Sequence, residues 1–149
     1  HVAMIKEGLA DKLELGNLDA KRDWGHAKDY VKAMWLMLQQ PEPEDYVLAT
    51  GKAYSVREFL EMCLRAGNIS FERQGIGKEE KYIDTRTGKT IVAIDPYYYR
   101  PAEVDHLLGD ATKAKRKLNW HAKTSVQELA HLMMESDFVE QGAQFPIYN

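Results

Sequence analysis

Two arginines in this sequence stand where an anion could be held. Arg100 lies in Tyr97-Tyr98-Tyr99-Arg100-Pro101-Ala102-Glu103-Val104-Asp105, a run that combines three aromatics, a fixed cation, a proline and the Glu103 carboxylate. Proline pre-sets φ and is welcome at the first position of a helix, where its missing N–H costs nothing. A helical turn starting at Pro101 puts Arg100 at its cap and Glu103 one turn on, so both can face one way. Arg22 lies in Leu18-Asp19-Ala20-Lys21-Arg22-Asp23-Trp24-Gly25-His26, a polar connection just ahead of a predicted helix. Loops before helix N-termini offer backbone N–H groups and a positive dipole end to an anion. Two converging guanidiniums suit a diphosphate, each gripping oxygens in bidentate fashion, with Glu103 accepting from N–H or hydroxyl donors beside them. The plain alternative is a local Arg100–Glu103 ion pair worth about 0.3–0.5 kcal/mol beside three loop tyrosines. Spacing alone does not choose between these readings, because convergence of distant residues is a property of the fold.

Other reactive side chains point to no second chemistry. His1, His26, His106, His121 and His131 show no metal-ligand spacing, and Cys63 has no Cys or His at a finger-like interval, so no metal site is expected. Cys63 shares an apolar face with Phe59 and Leu60, as a small buried hydrophobe does rather than a nucleophile. Glu79, Glu80 and Asp84 read as a solvated loop and hairpin rim. Met34, Met37, Met62, Met133 and Met134 fall in helical stretches, where Met commonly fills core gaps. No G-x-G-x-x-G follows a strand, so no dinucleotide-binding turn is present. No Tyr-x-x-x-Lys occurs either, since Tyr30 is followed four residues on by Met34 and Tyr99 by Glu103. No catalytic residue is assigned.

The elements that must position these residues follow from periodicity. Val2, Ile5 and Leu9 predict a short helix over residues 2–10, and Lys12–Leu15 alternates as a brief strand ended by Gly16-Asn17. Ala27, Tyr30, Val31, Met34, Trp35 and Leu38 predict a strongly amphipathic helix that stops before Pro41-Glu42-Pro43. Asp45–Thr50 reads as a strand. Ser55-Val56-Arg57-Glu58 is a capping box opening a helix with Val56, Phe59, Leu60, Cys63 and Leu64 on one face, ended by Gly67-Asn68. Ile69–Glu72 reads as a strand, and Lys81–Thr85 with Thr90–Ile94 as a β-hairpin across Arg86-Thr87-Gly88-Lys89. Asp110 is placed as the cap of a helix over Ala111–Leu118 that Asn119-Trp120 breaks. Ser125-Val126-Gln127-Glu128 is a second capping box, and Gln141–Asn149 has no periodicity and is expected to fray. The result is one small α/β domain in which helices outnumber strands, without repeats or linkers.

Composition narrows the class. The 149 residues, 44% of them hydrophobic, suffice for one core. A net charge of -3 and a pI near 6.0 argue against a dedicated nucleic-acid binder. No apolar run is long enough to span a membrane, and the opening His1–Glu7 lacks the progression of a signal peptide. A single cysteine fits a reducing cytosol. The absence of an initiator Met predicts a chain that begins in mid-protein.

One family carries several of these stretches together. Leu15-Gly16-Asn17-Leu18-Asp19-Ala20-Lys21-Arg22-Asp23-Trp24-Gly25-His26-Ala27-Lys28-Asp29-Tyr30-Val31 resembles the C-terminal half of the GDP-mannose 4,6-dehydratases. So do Met34–Gln40, Tyr46–Gly51 and Tyr99–Val104, and the likeness runs from residue 4 to residue 140. Gly16-Asn17 and Arg22–Gly25 recur more loosely in other extended short-chain dehydrogenase/reductases acting on nucleotide sugars.

The resemblance implies a lyase that converts GDP-mannose to GDP-4-keto-6-deoxymannose with tightly held NADP: hydride leaves C4, water is eliminated across C5–C6, and hydride returns to C6. It implies a cytoplasmic homo-oligomer, dimer or tetramer, with a GDP-sugar as partner and neither nucleic acid nor membrane. The family's GDP-binding arginines and glutamate match Arg22, Arg100 and Glu103, and Asn17 matches a residue shaping the nucleotide pocket. The family's Gly-rich cofactor turn, its Thr/Ser and Glu catalytic pair, its Tyr-x-x-x-Lys and its Thr-Arg-Lys stretch have no counterpart here. Residues 1–149 are therefore expected to be a single α/β fragment, the substrate-binding lobe plus returning Rossmann elements. The N-terminal Rossmann half would be absent, residues 27–50 would lend a helix and strand to the parent sheet, and the fragment alone would not catalyse the reaction. The alternatives are a sister enzyme, such as the reductase acting on the same GDP-4-keto sugar or another nucleotide-sugar epimerase or dehydratase, and a non-catalytic nucleotide-binding or interaction module.

Overall fold

The computed structural model describes residues 1–100 and 108–146. In chain order the elements are α1 (Val2–Lys6), β1 (Leu13–Leu15), β2 (Lys21–Asp23), α2 (Ala27–Leu38), β3 (Ala53–Ser55), α3 (Val56–Ala66), β4 (Phe71–Gln74), a 3-10 turn (Gly77–Glu79), β5 (Lys81–Asp84), β6 (Thr90–Ile94), α4 (Thr112–Leu118) and α5 (Val126–Glu140). One mixed sheet has the order β1-β6-β5-β4, with β1 parallel to β6 and the other neighbours antiparallel. A second, two-stranded sheet pairs β2 with β3 antiparallel. No helix among the described residues is long and apolar enough to cross a membrane.

Local chemistry explains where the elements start. Ser55 Oγ accepts from Glu58 N at 3.1 Å while Ser55 N donates to Glu58 Oε2 at 2.6 Å, so the capping box of α3 is complete. At α5, Ser125 Oγ accepts from Glu128 N at 3.2 Å, and the reciprocal arm is not made among the described residues. Asp110 sits one residue outside its expected place: Ala111 is the N-cap of α4, and Asp110 Oδ1 accepts from Thr112 N at 2.9 Å. Asn119 in the left-handed region ends α4, as Asn tolerates. α1 is shorter than expected, because Gly8 N and Leu9 N turn back onto Ile5 O and Met4 O in a Schellman motif.

Two apolar clusters hold these elements. The larger joins Tyr82 and Val92 of the sheet to Leu60, Cys63 and Leu64 of α3 and to Ala130, Met134 and Phe138 of α5. Each fully buried side chain of this size stabilises by about 1.5–3 kcal/mol. The smaller cluster joins Ala33 of α2 to Ala114 and Leu118 of α4 and to Trp120, with Tyr46 and Leu48 half-buried against it.

Five expectations need correction. Residues 45–50, expected as a strand, join no ladder among the described residues, because a strand exists only where a neighbour pairs with it; Thr50 N and the next amide, Gly51 N, donate instead to the Asp23 carboxylate, each at 2.9 Å. Strands, six, outnumber α-helices, five, among the described residues, since β2, within the connection 18–26, and its partner β3 are each too short for a period-two pattern to show. The strand expected at Ile69–Glu72 is Phe71–Gln74. The tail does not fray through residue 145: Phe145 packs edge-on against Phe138 and His131, at centroid distances of 5.6 and 4.7 Å. The methionines divide, with Met134 buried but Met34 and Met133 about half exposed.

Candidate functional site

Parallel pairing of β1 with β6 sets Leu15 opposite Ile94, so the chain leaves both strands at one edge of the sheet. Gly16-Asn17 follows β1 there, and Asp95–Arg100 follows β6. Asp95 N donates to Leu15 O at 2.9 Å. A Cβ on Gly16 would sit 2.1 Å from Tyr98 O, so no other residue fits where these two turns touch. β5 runs antiparallel to β6 and begins at the same edge, with Lys81 opposite Ala93. The 3-10 turn before it thus arrives there too, and Lys78 Nζ lies 5.2 Å from the Tyr99 ring centroid. Three segments distant in sequence meet at one end of the sheet.

The sequence-predicted residues fall on these segments as follows. Asn17 is half-buried, and its Oδ1 accepts from Asp19 N at 2.9 Å in an Asx turn that commits its carbonyl oxygen to shaping the loop. Arg22 is half-buried in β2 opposite Tyr54, with Nη1 donating to Lys21 O at 2.8 Å. The residues after it are fixed: Asp23 grips the Thr50 and Gly51 amides, while Trp24 donates from Nε1 to Tyr54 O at 3.0 Å. Trp24 also stacks on Phe59, centroids 4.4 Å apart and planes 6° from parallel. Arg100 is exposed at the end of the tyrosine turn. Glu103, and the helix start expected at Pro101, lie outside the described residues. The structure therefore brings the Asn17 turn and the segment leading to Arg100 into contact, with Arg22 on the strand that follows the Asn17 loop. Tyr97 and Tyr98 are mostly solvent-facing rather than packed, at 86% and 53% exposure.

The sequence reading missed a buried ion network beside this edge. Glu80, expected on a solvated rim, is 5% exposed and accepts from Arg57 Nη1. Arg57 Nη2 reaches Asp19 Oδ1 at 2.7 Å, and Arg73 Nε lies 3.9 Å from Glu80 Oε1. Tyr82, whose hydroxyl donates to Glu61 Oε1 at 3.2 Å, is titrated upward, chiefly by burial. Nothing local in Gly77-Lys78-Glu79-Glu80 signals this, because the partner arrives from α3. Burial also pushes the Cys63 thiol up to about 11, which suits a core residue and not a nucleophile. Among the described residues no three His, Cys, Asp or Glu side chains gather as a metal site would require.

Two β–α junctions among the described residues bear on dinucleotide binding. β2 passes to α2 through Trp24-Gly25-His26, where His26 Nδ1 caps the helix by accepting from Lys28 N at 3.0 Å. β3 passes to α3 directly from Ser55 to Val56. Neither junction offers the glycine-rich backbone cradle that a pyrophosphate needs.

A family model described as GDP-mannose 4,6 dehydratase matches residues 1–133. The chain is 54% identical over 135 residues to the GDP-mannose 4,6-dehydratase of Sinorhizobium fredii, covering 91% of this chain and 38% of that protein. It is 52% identical over 136 residues to the human GDP-mannose 4,6 dehydratase, covering 91% of this chain and 37% of that one. The chain thus spans well under half the length of the curated relatives it matches. Among solved structures, RMD from Pseudomonas aeruginosa complexed with NADPH superposes with a TM-score of 0.71 at 20% identity, over 94% of this chain and 40% of that one. UDP-glucose 4-epimerase from Thermotoga maritima with UDP-glucose gives 0.69 at 20% identity, over 94% and 38%. At that identity these two describe the fold alone, a mixed α/β arrangement shared with epimerases and dehydratases of nucleotide sugars.

Proposed function

The chain belongs to the GDP-mannose 4,6-dehydratase family, and we propose that it is the nucleotide-sugar-binding part of an enzyme converting GDP-mannose to GDP-4-keto-6-deoxymannose. In this reading Arg22 and Arg100 hold the diphosphate, Glu103 accepts from donors on the nucleotide, and Asn17 shapes the loop beside them. The catalytic groups and the NADP site belong to a Rossmann portion that residues 1–149 do not supply, and this chain contributes binding rather than a catalytic residue.

The observation that carries the reading is the contact of Gly16 with Tyr98, imposed by the parallel β1–β6 register. The stretch leading to Arg100 thereby touches the turn from which the chain runs on into β2 and Arg22, and this supports a two-point grip on a diphosphate. Support for residues 27–50 as part of a larger sheet comes from their surface. Val31, Met34, Trp35 and Leu38 form an exposed stripe on α2, beside a segment, 43–50, that pairs with no strand described here.

The test is GDP-mannose binding by the full-length enzyme and by its Arg22→Ala and Arg100→Ala variants, measured by calorimetry. Each loss of a charge-assisted contact is expected to cost about 1.5–3 kcal/mol, tenfold or more in Kd. Unchanged affinity in both variants would overturn the assignment.

A further inference from the structure

We propose that Arg57 is a positioning residue for the nucleotide site, a cross-brace that fixes the segment carrying Arg22 relative to the segment carrying Arg100. The proposal rests on the reading of those two arginines as diphosphate ligands.

Residues 18–20 belong to no ladder, and they lead directly from the Asn17 turn into β2 and Arg22. Two backbone bonds tie them to the start of α3: Val56 N donates to Ala20 O at 3.1 Å and Arg57 N to Leu18 O at 2.9 Å. The guanidinium adds a third tie, from Nη2 to Asp19 Oδ1 at 2.7 Å. Its Nη1 points the other way and donates to Glu80 Oε1. Glu80 closes the 3-10 turn whose Lys78 lies against Tyr99, the residue before Arg100. One side chain therefore bridges the two limbs proposed to grip a single diphosphate.

The chemistry of the bridge argues for geometry rather than bulk stability. Glu80 is 5% exposed and the Arg57 side chain 17%, so both charges have left most of their water. A buried ion pair recovers its desolvation cost only with well-aligned hydrogen bonds, and such pairs serve specificity more readily than stability. A guanidinium is needed because its planar fork presents donors in two fixed directions at once, one toward each carboxylate. Lysine keeps the charge and loses the fork. Arg73, 3.9 Å from Glu80, can share the Glu80 charge but makes no ion pair with Asp19 among the described residues.

The experiment uses the full-length enzyme with GDP as the binding probe and GDP-mannose as substrate. Arg57→Met is expected to raise both the Kd for GDP and the KM for GDP-mannose roughly tenfold while saturated turnover changes less than about twofold, the signature of lost ground-state binding geometry. Arg57→Lys should recover only part of that loss. Asp19→Asn, altering a carboxylate 74% exposed and so compatible with folding, should weaken GDP about threefold by removing the charge from one arm. A folded Arg57→Met enzyme with unchanged GDP affinity would overturn the brace. If Arg57→Met does not fold, Asp19→Asn decides, and unchanged affinity there overturns it equally. A fall in turnover and melting temperature without the KM change would show a structural role only and overturn it as well. Arg22→Ala and Arg100→Ala, run in parallel, separate the two levels. Loss of affinity in those alone rejects the brace and keeps the site, whereas no loss in any variant rejects the site itself.

Discussion

Around the four-stranded sheet, Tyr82, Val92, Leu64 and Phe138 are sealed from solvent, and α3 buries Leu60, Cys63 and Leu64 against them. Around α2 the same kind of amphipathic pattern has the opposite outcome. Only Ala33 of that helix is buried, while Val31, Met34, Trp35 and Leu38 are exposed by 61%, 55%, 59% and 82%. These four recur at the i, i+3, i+4, i+7 spacing of one helical face. The two regions thus differ in how much of their apolar pattern the described chain satisfies. The sheet region closes on itself. The α2 region is packed on one side only, by α4 and Trp120, and turns a second apolar side outward. A hydrophobic period in a sequence predicts that a face will be covered; it does not say which part of a protein covers it.

The largest test of this contrast is Phe138→Ala. Phe138 is 0% exposed and supports Phe145 edge-on, so its removal leaves a cavity and unseats the tail. Denaturant unfolding should show a loss of about 3–5 kcal/mol. A loss well below that would mean the sheet region is no better packed than the α2 region, and the contrast would fail.

Asp29 probes the packed side of α2 at an intermediate scale. Its Oδ2 accepts from Lys123 N and Thr124 N, both at 3.0 Å, and its backbone oxygen accepts from Trp120 Nε1 at 2.8 Å. Asp29→Ala leaves those two amides without their acceptor and should cost about 1–3 kcal/mol. The carboxyl also carries a pH signature. Burial alone would push it up, but hydrogen bonds from Thr124 and Lys123 outweigh burial and hold it below the ordinary Asp value. A group titrating lower when folded than when unfolded stabilises above its unfolded pKa, about 3.9, and that contribution is lost as pH falls through the folded value. Stability should therefore decline below about pH 4, and Asp29→Asn should flatten that part of the curve. An unchanged acid limb in the variant would show that Asp29 does not bind this loop to α2.

What could be read in the sequence was what is local. The Ser55–Glu58 box, the β5–β6 hairpin and the Asn119 stop each depend on residues a few positions apart, and each forms. β2 escaped because its three residues pair with β3 across 29 intervening residues, and a polar Lys21-Arg22-Asp23 run carries no alternation. Asp45–Thr50 misled in the other direction, since its residue types suit a strand but no neighbour pairs with it among the described residues. At the proposed site, residue type marked Arg22 and Arg100, but the meeting of the Gly16 turn with Tyr98 depends on a parallel register that no local pattern encodes. Glu80 shows the same limit most plainly. Flanked by Glu79 and Lys81, it reads as surface, and the arrival of Arg57, 23 positions earlier, with Arg73 nearby, makes its burial tolerable.

The smallest expected effect is the sharpest probe of the outward side. Trp35, at 59% exposure, donates no described hydrogen bond from its ring and packs in neither core cluster. In the 149-residue chain, Trp35→Ala should change unfolding free energy by no more than about 0.5 kcal/mol, as surface substitutions do. In the full-length enzyme proposed above, the same change should cost several-fold more, because the stripe on α2 would there be covered and the indole's apolar area buried. Equal small losses in both would mean that the stripe stays uncovered, and α2 would be a solvent-facing helix in the complete enzyme too. A large loss already present in the 149-residue chain, growing with protein concentration, would mean that copies of the chain cover the stripe for one another. The contrast between the two regions would then describe an assembly rather than a missing layer.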